Sequence, residues 1–249
     1  MRTPLLAAAL LAFAAPASAA PAVGPAAIQQ ADAALQAAIA SDARPQADRA
    51  RDRYRHPYES LTFWGLAPGM TVVEIQPGQA GWWSNILQPY LSQTGGTYVA
   101  ANNGQQLLGV ADGSADMVLV ARAFHNWHRG GQTDALMGQF ARVLKPGGVL
   151  AVEQHRAPEG SDPDQTAPTG YVSEAHVIAA AERAGLVLDG RSEINANAAD
   201  DRDHPFGVWT LPPVRRSEQN GRTLTPAERA EFDAVGESDR MTLRFRKPG

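Results

Sequence analysis

Cysteine is absent from all 249 residues. Disulfides, thiolate metal sites and thiol nucleophiles are thereby excluded. Basic charge is in deficit, with 22 Lys and Arg against 26 Asp and Glu and a net charge of −4. A nucleic-acid partner usually demands a basic face, so this balance argues against one. After the N-terminus no stretch approaches the roughly 18 consecutive apolar residues that a membrane helix needs. There is no Gly-x-Ser-x-Gly elbow of the α/β-hydrolase kind and no P-loop.

What the chain does have begins with "MRTPLLAAALLAFAAPASAA". Arg2 supplies a positive start, Leu5 to Ala15 an apolar segment too short to span a bilayer, and Ala17-Ser18-Ala19 a small-x-small cleavage pattern. Residues 1–19 are expected to be a signal peptide cut after Ala19. The mature chain is then expected in the periplasm or outside the cell, with no stable membrane insertion. Its length suits one domain with a good core. Residues 20–56 read as an N-terminal helical extension and 57–249 as the main domain. Within the extension, "QADRARDRYRHP" alternates acids and bases. It is expected to be a solvated helix with i,i+4 pairs; the functional alternative is an arginine-bearing lid over an anionic ligand.

From Pro57 onward, apolar periodicity switches between helix and strand. "PYESLTFWGL" is helical, and Thr71 to Ile75 is a strand. "WWSNILQPYL" is a helix ending by Leu91, and Gly96 to Asn102 is a second strand. Ala115 to Phe124 is a third strand, apolar enough to be buried on both faces. "TDALMGQFARVL" is an amphipathic helix stopped at "KPGG", followed by a fourth strand from Val149 to His155. A helix capped by Ser173 and stopped at Gly185 comes next, and "LVLDGRSEIN" and "RMTLRFRKP" are closing strands. Alternation of this kind implies an α/β fold with a mostly parallel sheet. Ligands of such sheets sit at the carboxyl ends of the strands, here Glu74 to Gly81, Asn102-Asn103, Phe124 to His128 and Glu153 to Arg156. Gly78 and Gly81 lie in a strand-to-helix turn, where glycine permits sharp bending and close ligand approach.

Three segments in order, "VVEIQPGQAG", "ADGSADMVLVARAFHNW" and "FARVLKPGGVLAVEQH", resemble motifs of class I S-adenosylmethionine-dependent methyltransferases. Farther on, "GYVSEAHVIAAAERAGL", "SEINANAADDRDHPFGVWTLPP" and "GESDRMTLRFRKP" resemble an exported bacterial family of methyltransferase-like proteins. The resemblance implies a Rossmann-like sheet, S-adenosylmethionine as cofactor and a small molecule as methyl acceptor. It places Glu74, Pro77, Gly78, Gly81, Asn102 and Phe124 at the cofactor, His125 and Asn126 at the chemistry, and Trp127 and His155 toward substrate. The sequence departs from the pattern in two ways. Strand two ends in Asn102-Asn103 where the family carries an acid, and only Gly104 to Gly113 precede the "DGSAD" segment, so one βα unit is expected to be missing.

Two other functions fit the same residues: a non-catalytic exported protein that binds a small ligand, and a metal-dependent enzyme on His125, His128 and His155 with Glu153 or Asp203. His-x-x-His alone is not diagnostic, and no metal is assigned. At least one of Trp82 and Trp83 is expected to pack in the core, with a pocket roof as the alternative, and Trp209 to pack at the sheet edge, with the pocket mouth as the alternative. "DDRDHP" is expected to be a solvated loop.

Overall fold

The computed structural model describes residues 25–102 and 106–249. The proposed leader, residues 1–19, and Asn103 lie outside the described residues. The chain opens with helices α1 (Pro25–Ala40), α2 (Gln46–Arg49), α3 (Asp52–Arg55) and α4 (Pro57–Trp64). Then follow β1 (Thr71–Ile75), α5 (Ser84–Gln93), β2 (Thr97–Ala101), β3 (Ala115–Ala121), α6 (Phe124–Arg129), α7 (Thr133–Val143) and β4 (Leu144–His155). The C-terminal part holds α8 (Pro163–Thr166), α9 (Glu174–Arg183), β5 (Val187–Ser192), β6 (Pro205–Val208), the hairpin β7 (Glu218–Gln219) and β8 (Arg222–Thr223), α10 (Pro226–Val235) and β9 (Arg240–Arg246). No helix among the described residues is long and apolar enough to cross a membrane.

Six strands form one sheet in the order β2-β1-β3-β4-β9-β5. The first four are parallel, and β9 runs antiparallel between β4 and β5. Strand alternation sends Val72, Met117, Leu119, Val149 and Ala151 to one face, where α1, α4 and α5 cover them. Val73, Val118, Val120, Leu150 and Val152 go to the other, against α6, α7 and α9. The result is a Rossmann-like open sheet with helices on both faces. The order reverses between β1 and β3, which puts the switch point of the sheet at those two carboxyl ends.

The shortened middle is visible. After β2, the sheet's edge, the described chain reaches β3 through one 3₁₀ turn, Gln106–Gly109, whose Leu107 is fully buried. The N-terminal extension packs on the main domain: Ala34, Leu35 and Ala38 of α1 join the same apolar cluster as Leu61, Trp64 and Ile86.

Several boundaries differ from expectation. Helix α5 continues past Pro89 to Gln93, because burial of Ile86, Leu87, Tyr90 and Leu91 outweighs the lost hydrogen bond. Strand β3 stops at Ala121, and Phe124 to Arg129 is a short helix rather than strand and loop. "KPGG" does not separate helix from strand; it lies within β4, where the register with β3 jumps and Gly147 takes φ +76°. Ser173 does cap α9, accepting from the His176 N–H at 3.4 Å.

Helix α4 is fastened to the sheet by Trp64, fully buried, whose Nε1 donates to the Leu243 carbonyl at 3.1 Å. Replacing Trp64 by Ala is expected to cost about 3–5 kcal/mol of stability. Urea denaturation of the two proteins measures it, and a loss under about 1 kcal/mol would contradict this packing.

Candidate functional site

Two concavities open on the carboxyl edge of the sheet. The first lies over β1 and β2. Leaving β1, the chain turns with Gln76 at φ +51° and Gly78 at φ +71°, and the Gln76 N–H donates to the Ala101 carbonyl at 2.8 Å. A Cβ on Gly78 would meet nothing within 4 Å. The resulting open cleft, of about 500 Å³, is lined by Gln76, Gly78, Gln79 and Asn102. Pro77 sits half-buried within that turn.

Three residues expected at a cofactor are directed elsewhere. Glu74 is buried, and one carboxylate oxygen accepts from the hydroxyls of Ser84 (2.9 Å) and Tyr98 (2.8 Å). Burial pushes its carboxyl up, with those two hydrogen bonds opposing. Gly81 takes φ +55°, and a Cβ there would stand 3.3 Å from Ser84, so its role is to start α5 closely. Phe124 is fully buried; its N–H donates to Gln154 Oε1 at 3.1 Å and its ring packs against Trp127 and His176. Trp127, expected toward substrate, is likewise buried, facing Phe140 of α7. Both corrections have one cause: α6 is a helix, and its apolar side falls on the sheet.

The second concavity lies one strand over, since Ile75 pairs with Val120 and Arg122 follows the end of β3. It encloses about 240 Å³ among Arg55, Arg122, His125, His155, Trp209 and Arg240, with Asn126 also on its wall. Arg122 adopts φ +56°, a left-handed conformation uncommon for a bulky residue and frequent at functional sites. Trp209 lines the cavity, its ring 5.8 Å from that of His125, and is not merely packing at the sheet edge.

Hydrogen bonding fixes the state of His125. Gln154 Oε1 accepts from the Phe124 N–H, so its Nε2 is the donor end, which also donates to the Gly170 carbonyl at 3.0 Å. The same Nε2 lies 3.3 Å from His125 Nδ1, which must therefore accept. The neutral ring thus carries its proton on Nε2. Burial pushes the His125 pKa down to about 4, and the Arg129 and Arg122 charges act in the same direction. His155 is 6.0 Å from His125 ring to ring, with Nδ1 2.5 Å from Ser238 Oγ. Burial, then the Arg240 charge, holds it well below the ordinary histidine range. Both imidazoles are neutral at pH 7.

Ion pairs line the floor of this cavity. Arg240 donates to Glu153 at 2.9 Å and to Glu237; Arg55 Nε donates to Glu237 at 2.9 Å, and Arg51 Nε to Glu237 at 2.5 Å. Trp83 Nε1 donates to Glu153 at 3.3 Å, and the Arg55 guanidinium lies 4.8 Å from the Trp82 ring. Both tryptophans are buried beneath the arginines, as expected of packing residues. The solvated-helix reading of "QADRARDRYRHP" is overturned, because Arg55 is fully buried on the site. The motifs left Arg122, Glu237 and Arg240 unmarked. Arg122 had a signal, its place at a strand end; Arg240 had none, being brought in by β9 from 87 positions past Glu153.

The three-imidazole metal reading fails on geometry. His128 turns away to Asp164 (2.7 Å) and to the His176 ring (4.7 Å). Among the described residues, Asp200, Asp201 and His204 are close enough to share an ion. Asp200, however, is buried and accepts from Tyr171, His204, and the N–H groups of Arg202 and Asp239, so it organises the loop and is not solvated as expected.

Residues 71–152 match the model of a family described as a methyltransferase domain. No curated protein matches the chain. Among solved structures, an S-adenosylmethionine-dependent methyltransferase from Aquifex aeolicus is 21% identical, over 60% of this chain and 89% of its own, with TM-score 0.45. The methyltransferase solved with the Haloferax volcanii Trm112 activator is 16% identical over 88% and 98%, TM-score 0.46. The geranyl diphosphate C-methyltransferase of Streptomyces coelicolor, solved with S-adenosylhomocysteine, is 13% identical over 85% and 87%, TM-score 0.46.

The lowered His125 pKa makes stability depend on pH. The folded ring refuses a proton that the unfolded ring accepts below about 6.5. Its contribution is therefore fully present above pH 6.5 and is lost as the pH falls toward 4. Urea denaturation is expected to show lower stability at pH 5 than at pH 7, with the difference reduced in His125→Asn. Equal pH dependence in the two proteins would contradict a neutral, buried His125.

Proposed function

We propose that the chain is an exported S-adenosylmethionine-dependent methyltransferase that acts on a small molecule. The observation that carries this reading is the open cleft at the ends of β1 and β2, within the segment that matches the methyltransferase domain. Its donor set fits the cofactor. Gln76, Gln79 and Asn102 offer neutral amides suited to hydroxyl and base edges, and Gly78 leaves the turn free of a Cβ. Those residues would hold S-adenosylmethionine, which supplies a methyl group activated by its sulfonium. Direct displacement at carbon asks the protein mainly for alignment.

The neighbouring cavity would hold the acceptor. His125 presents its Nε2–H and has its Nδ1 lone pair occupied by Gln154, so its part is to orient an acceptor heteroatom by donation rather than to take a proton. Asn126 stands beside it on the wall, and Trp209 limits entry of water from the 208–214 side. A second reading, ligand binding without transfer, is favoured by Glu74, whose Oε2 accepts from Ser84 and Tyr98 within the protein.

Titration calorimetry of S-adenosylmethionine and S-adenosylhomocysteine on the chain from Ala20 onward tests the cofactor. Micromolar binding, abolished in Gly78→Arg, is expected. That variant fills the cleft at a cost of about 1 kcal/mol for a left-handed side chain, so its fold should persist. No binding at millimolar ligand on folded protein would sink the reading. Export is tested by N-terminal sequencing of chain recovered from the periplasm of a bacterial host. A start at Ala20 is expected, and an intact leader would contradict it.

A further inference from the structure

Each carboxylate oxygen on the cavity floor has a hydrogen-bond partner, whereas several guanidinium N–H groups have none. Glu153 takes Arg240 on one oxygen and Trp83 on the other; Glu237 takes Arg51 on one and Arg55 with Arg240 on the other. Yet Arg55, fully buried, has both terminal nitrogens without a hydrogen-bond partner. So have the Nε of Arg240 and the Nε of Arg122, and among the described residues the Arg122 side chain donates no hydrogen bond at all. Arg51, Arg55, Arg122 and Arg240 thus face two carboxylates. Asp48, 4.0 Å from Arg51, and Glu74, on which the Arg122 charge also acts, are further carboxylates nearby, yet neither accepts a hydrogen bond from Arg55 or Arg122. The imidazoles beside them are neutral and add no balancing charge. Buried donors of this kind ordinarily have partners, and unpaired buried charge is costly.

We propose that this cavity binds the oxyanion group of a small molecule, a phosphate or a carboxylate, through Arg55, Arg122 and the Nε2–H of His125. Guanidinium donors match the planar or tetrahedral oxygens of such groups and bind them by charge-assisted hydrogen bonds. The volume of about 240 Å³ suits a small anion and excludes a polymer. Trp209 adds an apolar wall for the carbon skeleton. That the oxyanion belongs to the methyl acceptor rests on the function proposed above; that the cavity takes an oxyanion does not.

Calorimetric titration of the chain from Ala20 onward with inorganic phosphate, and separately with acetate, tests this. Saturable binding of at least one is expected, and which one binds more tightly distinguishes a phosphate ester from a carboxylic acid. Arg122→Gln is expected to weaken it about tenfold or more, the effect of one charge-assisted hydrogen bond. Val214→Glu is a second variant, at a wall residue 56% exposed, where substitution spares the fold. Its added negative charge is expected to weaken binding about threefold at low salt. Oxyanion binding without S-adenosylmethionine binding would sink the methyltransferase reading alone. No binding of either anion at 50 mM, or binding indifferent to both Arg122→Gln and Val214→Glu, would overturn the anion site.

Discussion

Charge removed from water must be answered inside the protein, and at the carboxyl edge of this sheet two carboxylates answer several arginines. Glu153 lies fully buried near the end of β4, and Glu237 stands just before β9. Desolvation of each charge costs several kcal/mol, recovered only when every oxygen and most N–H groups find partners. Burial pushes both carboxyls up, but the Arg240 and Arg55 charges overcome it and hold them below the ordinary range. Through these contacts α3, β4 and β9 are locked at one corner. Removing one carboxylate would leave buried cations unanswered, which makes this corner sensitive to substitution.

The same constraint shapes the site. Burial, and then the Arg122 and Arg240 charges, depress the Arg55 guanidinium well below its ordinary value, the direction for a cation short of anionic company. Burial, aided by nearby arginine charges, keeps His125 and His155 neutral. Gln154 takes its orientation from one backbone N–H and passes it to His125, so the ring's donor side follows from main-chain geometry. Cleft and cavity therefore differ in kind. Over β1 and β2 the walls are neutral amides and glycine; over β3 and β4 they are cations, neutral rings and a tryptophan.

The matched motifs do less at the site than their order suggests. Asp116 of "DGSAD" accepts from the Thr71 N–H at 2.8 Å and pairs with Lys145 of "KPGG" at 2.7 Å. Those segments tie β1, β3 and β4 together at the edge away from both concavities. They signal the fold because they build it. Glu74 belongs with them, as a buried hydrogen-bond acceptor between α5 and β2.

The alternation of elements, the parallel core and the missing unit were legible in the sequence, because strand periodicity, glycine turns and loop length are local properties of the chain. The sequence also placed Gly78, Asn102, His125, Asn126 and His155 at strand ends, where the two concavities are found. Which way a side chain points from such an end was settled by tertiary structure. Trp127 and Phe124 turned inward because α6 winds as a helix against an apolar sheet. Arg55 and Arg240 reached the site from opposite parts of the chain, 182 and 87 positions from their partner carboxylates. No local pattern encodes such a meeting; it exists only when the sheet closes and the charges must find one another.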